Sequence, residues 1–180
     1  AGSGATAVQP ILQTMRKYNL RSTFFLTGQW AERYPELVQQ IASEGHELAN
    51  HSYTHPYFTQ LSEQGMGREV ERTEALVLQL TGKSTKPYFR PPFGDRDRRV
   101  LDMLARSGYL SIYWTLDSGD WRPDLSSQTV LRRVLNNTAN GSIVVHHVDS
   151  PQTAQVIEQI VVGLLQRGLT PSTLTEVLAE

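Results

Sequence analysis

An α/β fold built of βα units around a parallel sheet or barrel is what this sequence predicts, on two observations. Helical and extended hydrophobic patterns alternate on a regular beat along the 180 residues. The polar side chains best suited to chemistry cluster just behind the extended stretches, at residues 50–55, 90–95, 117–121 and 146–147. In a βα barrel that is the C-terminal rim, where active sites gather. With 39% hydrophobic and 19% charged residues, a chain of this length buries one sizeable core, so 1–180 reads as one domain.

Val8, Ile11, Leu12 and Met15 fall at helical spacing in a run that stops near Asn19, predicting a first helix over 8–18. The β-branched and aromatic residues of 22–26, followed by Thr27 and Gly28, predict a short buried strand. From Pro35 the apolar residues Leu37, Val38, Ile41 and Ala42 are helical again until Gly45, and 46–50 supplies another strand. The alternation continues with a helix over 63–80, an extended piece at 87–90, a helix over 96–107 and a strand over 109–116. A helix over 127–138, a strand over 142–146, and helices over 153–167 and 172–178 around an extended piece at 168–170 complete it.

The formal net charge of −1 gives no reason to expect nucleic acid or an anionic membrane as partner, since those need clustered Lys and Arg. Arg96, Arg98 and Arg99 alternate with Asp95 and Asp97 and read as a solvated helix start. Without cysteine, any metal must be held by nitrogen and oxygen ligands. No apolar run approaches the roughly 20 residues of a membrane span. An export signal would lie upstream of this chain.

Four clusters carry the chemistry. His51 and His55 lie four residues apart, at a strand end and before Pro56. Neutral imidazoles suit zinc and similar divalent ions, and this spacing lets both reach one ion from a tight loop. By itself the pair reads equally as two unrelated histidines. Arg90-Pro91-Pro92-Phe93-Gly94 fixes its backbone with two prolines, as an oxyanion site needs or as an ordinary turn around a buried arginine would show. Asp117-Ser118-Gly119-Asp120-Trp121 sets two carboxylates beside an aromatic face able to cover a sugar ring or wall a pocket, and alone it reads as a turn. Ile143-Val144-Val145 delivers His146 and His147 to a strand end, where alternation points them to opposite sides and admits only one to a site.

In order, spacing and content these clusters resemble the polysaccharide deacetylases of carbohydrate esterase family 4, the NodB homology domain. The family's H(S/T)xxH motif is similar to His51-Ser52-Tyr53-Thr54-His55, its RPPYG motif to Arg90 through Gly94, and its DxxDW motif to Asp117 through Trp121. Its hydrophobic-x-His motif fits Val145-His146-His147 and selects His147 over His146. Residues 18–28 resemble the end of its first helix and its second strand, so the likeness runs through nearly the whole chain.

The resemblance implies a distorted (β/α) barrel that hydrolyses N-acetyl or O-acetyl groups on a glycan such as peptidoglycan, chitin or chitooligosaccharide, outside the cytoplasm. It implies a divalent metal, zinc before cobalt, nickel or manganese, held by His51 and His55. His147 would be the acid, Asp120 would hold it charged and oriented, and Arg90 would pair with the base. The Phe93 amide would stabilise the oxyanion, while Trp121 and Val145 would wall the acetyl methyl. Phe93 departs from the family tyrosine by one hydroxyl, which leaves the amide role intact.

One departure is larger. The family's TFDDG motif supplies the general base and a third metal ligand, and its spacing places the motif glycine near Gly2 and the ligand aspartate near Ala1. The first strand and the base would then be missing from these residues. A separate N-terminal fragment of the same protein would complete a barrel otherwise poorly stable, with its edges exposed. An inactive sugar-binding pseudoenzyme on the same fold is the competing reading, and a relative acting on a small amide is a third.

Overall fold

A computed structural model describes residues 4–179 of the chain. Its elements run α1 (Val8–Lys17), β1 (Thr23–Leu26), α2 (Gly28–Arg33), α3 (Pro35–Ser43), β2 (Glu47–Asn50), α4 (Glu63–Thr81), β3 (Tyr88–Phe89) and α5 (Arg98–Arg106). They continue with β4 (Leu110–Ser111), β5 (Leu116–Asp117), α6 (Ser127–Asn137), β6 (Val144–Val145), α7 (Pro151–Gln166) and α8 (Leu174–Leu178). The strand pairs among the described residues are parallel, as the alternating pattern predicts. The chain forms two compact units, one of residues 23–113 and a terminal unit of the described parts of 1–22 and 114–180.

In the 23–113 unit the sheet order is β1-β2-β3-β4, with Leu26 beside Asn50, Asn50 beside Phe89 and Phe89 beside Ser111. Phe58, Met66, Val70, Phe89, Val100, Met103, Leu104 and Tyr109 form its core, drawing α4, α5 and the sheet together by removing apolar surface from water. Ser62 caps α4 by accepting from the Gly65 amide, and Asp97 caps α5 by accepting from Val100. Arg96 and Arg99 are more than a solvated helix start. The Arg96 guanidinium lies 3.9 Å from the Tyr113 ring centroid, and Arg99 donates to the carbonyls of Thr59 at 2.8 Å and Leu61 at 2.5 Å.

Two expectations about elements are corrected here. Thr27 and Gly28 close a strand and also open a helix, because the Thr27 hydroxyl accepts from the Trp30 amide at 3.3 Å and starts α2. The predicted strand over 109–116 is two short strands, β4 in this unit and β5 in the other. Between them the carbonyls of Ile112 and Tyr113 accept from the Arg90 guanidinium, so that stretch does not continue a ladder.

In the terminal unit β5 pairs with β6, Asp117 lying beside Val145. Val130 and Val134 of α6 pack on Val156, Ile160 and Leu164 of α7. The predicted strand over 142–146 shrinks to two residues, and 168–170 forms no strand.

Candidate active site

In the 23–113 unit the end of β2 turns sharply into the His51–His55 loop. The Ser52 and His55 backbones adopt positive φ of 66° and 63°, a region L residues seldom occupy without support. Support comes from several directions. The His51 amide donates to the Leu26 carbonyl at 2.9 Å, and the Ser52 and Tyr53 carbonyls accept from Gly28 and Gln29. The His55 amide donates to the Ser52 hydroxyl at 3.1 Å. Glu69 of α4 reaches across to accept the amides of Tyr53 and Thr54 at 2.8 and 2.7 Å.

Beneath the loop, Asn50 is fully buried and fully employed. Its Nδ2 donates to the Val70 carbonyl and to the hydroxyls of Thr85 and Tyr109, while its Oδ1 accepts the Ser52 amide at 3.0 Å. The same network ends on Glu74, which accepts from Ser84, Thr85 and Tyr109. Burial pushes the Tyr109 phenol up to about 12, so it stays a neutral donor.

His51 Nδ1 donates to the Arg90 carbonyl at 2.6 Å, which leaves its Nε2 as the available lone pair. Burial holds its pKa well below the usual histidine value and keeps the ring neutral. The Nε2 atoms of His51 and His55 lie 3.2 Å apart. Imidazole nitrogens bind zinc at about 2.0–2.1 Å, so this separation subtends roughly 100° at a shared ion, as two corners of one coordination sphere do. The pair fits a divalent cation. Among the described residues no group of three His, Cys, Asp or Glu side chains is gathered that could hold a metal ion.

Beside His55, the turn Pro92–Gly94 carries Phe93 at φ 59°, its ring 55% exposed. That ring stacks on Tyr57, centroids 4.3 Å apart, and meets His55 edge-on at 4.6 Å. Asp95 ties the turn down by accepting from the Thr59 amide at 2.8 Å. Arg90 is buried under this loop with its guanidinium 4.0 Å from the Phe25 ring centroid, and burial pushes its pKa down to about 10. Tyr57, Glu69 and Asn50 are site-building residues that motif spacing did not single out. Asn50 falls at the edge of the 50–55 cluster with no role attached by its spacing, and nothing in the local pattern marks Glu69, which comes from a helix 14 or more residues away.

In the terminal unit β5 delivers Asp117, whose two oxygens accept the Gly119 amide at 2.8 Å and Trp121 Nε1 at 3.0 Å. This pins the indole, which is 60% exposed. Asp120 is buried. Its Oδ1 lies 2.7 Å from His147 Nδ1, and its Oδ2 accepts the His147 amide at 2.8 Å and the Thr153 hydroxyl at 2.5 Å. Burial alone would raise this carboxyl, but hydrogen bonding with His146 and His147 outweighs it and holds the group far below the usual carboxylate range. The expectation that His146 faces away is overturned: its Nδ1 lies 3.8 Å from the same Asp120 Oδ2. The strand ends at Val145, so pleat alternation no longer applies to the two residues after it.

A family model described as polysaccharide deacetylase matches residues 2–112. The chain belongs to this family. As a polysaccharide deacetylase homologue it is 33% identical over 137 residues to a peptidoglycan-N-acetylglucosamine deacetylase of Bacillus cereus, covering 76% of this chain and 49% of that protein. Among solved structures it matches a carbohydrate esterase family 4 pseudoenzyme from Bacillus anthracis at TM-score 0.92 and 26% identity, over 98% of this chain and 62% of the other. A mutant of that pseudoenzyme has restored enzymatic activity. A family 4 carbohydrate esterase from Streptomyces lividans, in complex with acetate, matches at TM-score 0.85 and 32% identity, over 94% of this chain and 86% of that one. The chain spans about half to two thirds of the first curated relatives it matches, at 54%, 49% and 65% of their lengths. The expectations attached to Ala1 and Gly2 lie outside the described residues.

Proposed function

We propose that this domain is a metal-dependent deacetylase of N-acetylated or O-acetylated glycans such as peptidoglycan, chitin or chitooligosaccharide, working outside the cytoplasm where such polymers lie. The observation that carries the reading is the convergence of two Nε2 atoms to 3.2 Å on a loop braced from several sides. His51 and His55 would hold the cation, zinc first and cobalt, nickel or manganese as alternatives. When bound, such an ion polarises a carbonyl and lowers the pKa of a water.

The chain's own residues do the rest. The Phe93 amide, on a turn fixed by Pro91 and Pro92, donates to the oxygen on which negative charge develops. His147 keeps its Nδ1 proton on Asp120 and gives its Nε2 proton to the leaving amine or alcohol. Arg90 would steady a carboxylate base, whose place in the family motif precedes the described residues, and Trp121 and Val145 wall the acetyl methyl.

A second reading, a sugar-binding pseudoenzyme, is favoured by the likeness to the Bacillus anthracis pseudoenzyme and by a ligand pair without a third partner among the described residues. One experiment separates them. The protein is loaded with zinc, cobalt, nickel or manganese and incubated with chitooligosaccharide, peptidoglycan or acetylated xylan, and released acetate is quantified against a chelated control. Acetate released only with metal supports the deacetylase. Glycan binding without acetate from any metal and substrate pair overturns it in favour of the pseudoenzyme.

A further inference from the structure

Asp120 serves two imidazoles. Thr153 donates its hydroxyl proton to Asp120 Oδ2 at 2.5 Å, so the Thr153 oxygen accepts from His146 Nδ1 at 3.1 Å. A continuous chain therefore runs from His146 through Thr153 to one carboxylate oxygen, while His147 Nδ1 holds the other at 2.7 Å. His146 is also 3.8 Å from the carboxylate directly. All four side chains sit on two short segments, the β5–α6 loop and the β6–α7 connection with the first turn of α7.

We propose that His146 is a positioning residue that, with Thr153, sets how tightly His147 holds its proton. This rests on the reading of His147 as the acid. A carboxylate that already accepts a hydroxyl and faces a second imidazole is a weaker partner for the first, because each added donor draws charge from the shared group. When His146 carries a proton, its positive charge adds direct repulsion. Both effects push His147 the same way, towards releasing its proton.

Several other charged groups of this unit are engaged elsewhere. Asp117 holds Gly119 and Trp121, and Arg133 donates to the Asp117 carbonyl. Asp124 pairs with Arg122, and Glu158 with Lys17. Asp149, two residues past His147, is the remaining carboxylate of the connection to α7. An Asp149→Asn control separates its charge from the effect of His146.

The test follows the ring protons of His146 and His147 by NMR across pH 4–9 in the wild type, His146→Leu and Thr153→Val. Replacing His146 raises the His147 midpoint by about half a pH unit or more, and replacing Thr153 raises it by less. His146→Gln keeps a donor for Thr153 while removing the titrating charge, and it carries the test should the leucine variant not fold. In a deacetylation assay the alkaline limb of the kcat profile, where a general acid loses its proton, moves by the same amount with KM unchanged. A His147 midpoint that stays put or falls in both His146 variants overturns the proposal. Because the midpoint is read without substrate, it stands or falls separately from acetate release.

Discussion

The ring of Tyr53 occupies the space that a side chain at position 28 would need: a Cβ built on Gly28 falls 2.0 Å from Tyr53 Cδ2. Tyr53 has little freedom to retreat, since its hydroxyl donates to Glu32 at 2.7 Å and the Arg72 guanidinium covers its face at 3.7 Å. Gly28→Ala is therefore expected to cost roughly 1–3 kcal/mol by overpacking, read as a lower urea midpoint at unchanged m-value. Stability within about 0.5 kcal/mol of wild type would contradict the close approach.

Glu69 is the strut of the histidine loop. Glu69→Ala removes the acceptor of the Tyr53 and Thr54 amides, so both should exchange with solvent markedly faster while the amides of β1 and β2 keep their protection. The stability loss should be about 1–3 kcal/mol, from stranding the part-buried Tyr53 amide, since the exposed Thr54 amide can turn to water. Uniformly faster exchange across the whole unit would mean that Glu69 braces the fold and not the loop.

Metal affinity should depend on both imidazoles. Calorimetric titration with zinc is expected to show His51→Ala and His55→Ala each weakened by more than the 10–100-fold typical of losing a group one bond beyond the ligands. Loss in only one variant would place the second histidine outside the coordination sphere.

Much of this was legible in the sequence, and what was not shares a cause. The α/β alternation and the four motif clusters follow from hydrophobic period and residue type, which are local. The direction of His146 is not legible because strand alternation stops at Val145, where two-residue β6 ends. The run over 109–116 is rich in aromatic and β-branched residues, yet Arg90, 22 positions before Ile112, takes the Ile112 carbonyl in its middle. Helix α2 was missed although Thr27, a good cap, stood in plain view, because a six-residue helix shows too little periodicity to register.

Asp120 makes stability pH-dependent. Its folded-state pKa lies below the unfolded value of about 3.9, so its contribution is complete above that value and is lost as pH falls through the folded one. Asp120→Asn should cost on the order of 2–3 kcal/mol at neutral pH. The gap from wild type should hold from pH 7 to about 5 and close in stronger acid. Urea unfolding of both proteins at several pH values reads this directly, and a gap that widens in acid would reverse the assigned sign.

Trp121 presents an exposed indole anchored at one edge. Trp121→Ala should raise KM for an acetylated oligosaccharide roughly threefold to tenfold, the worth of one aromatic contact, with a smaller effect on kcat. Asp117→Ala frees the indole without removing it and should produce part of the same rise. Equal kcat losses in both variants would argue for a different role.

The strained backbone at Ser52, His55 and Phe93 has a kinetic consequence. Each such conformation costs about 1–3 kcal/mol, and the loop that carries two of them is braced by hydrogen bonds from the protein itself. Ion capture should then need little rearrangement of the loop. Association should be second order and nearly as fast as water exchange on the ion allows, without a concentration-independent phase, and chelator-stripped protein should regain its ion without refolding.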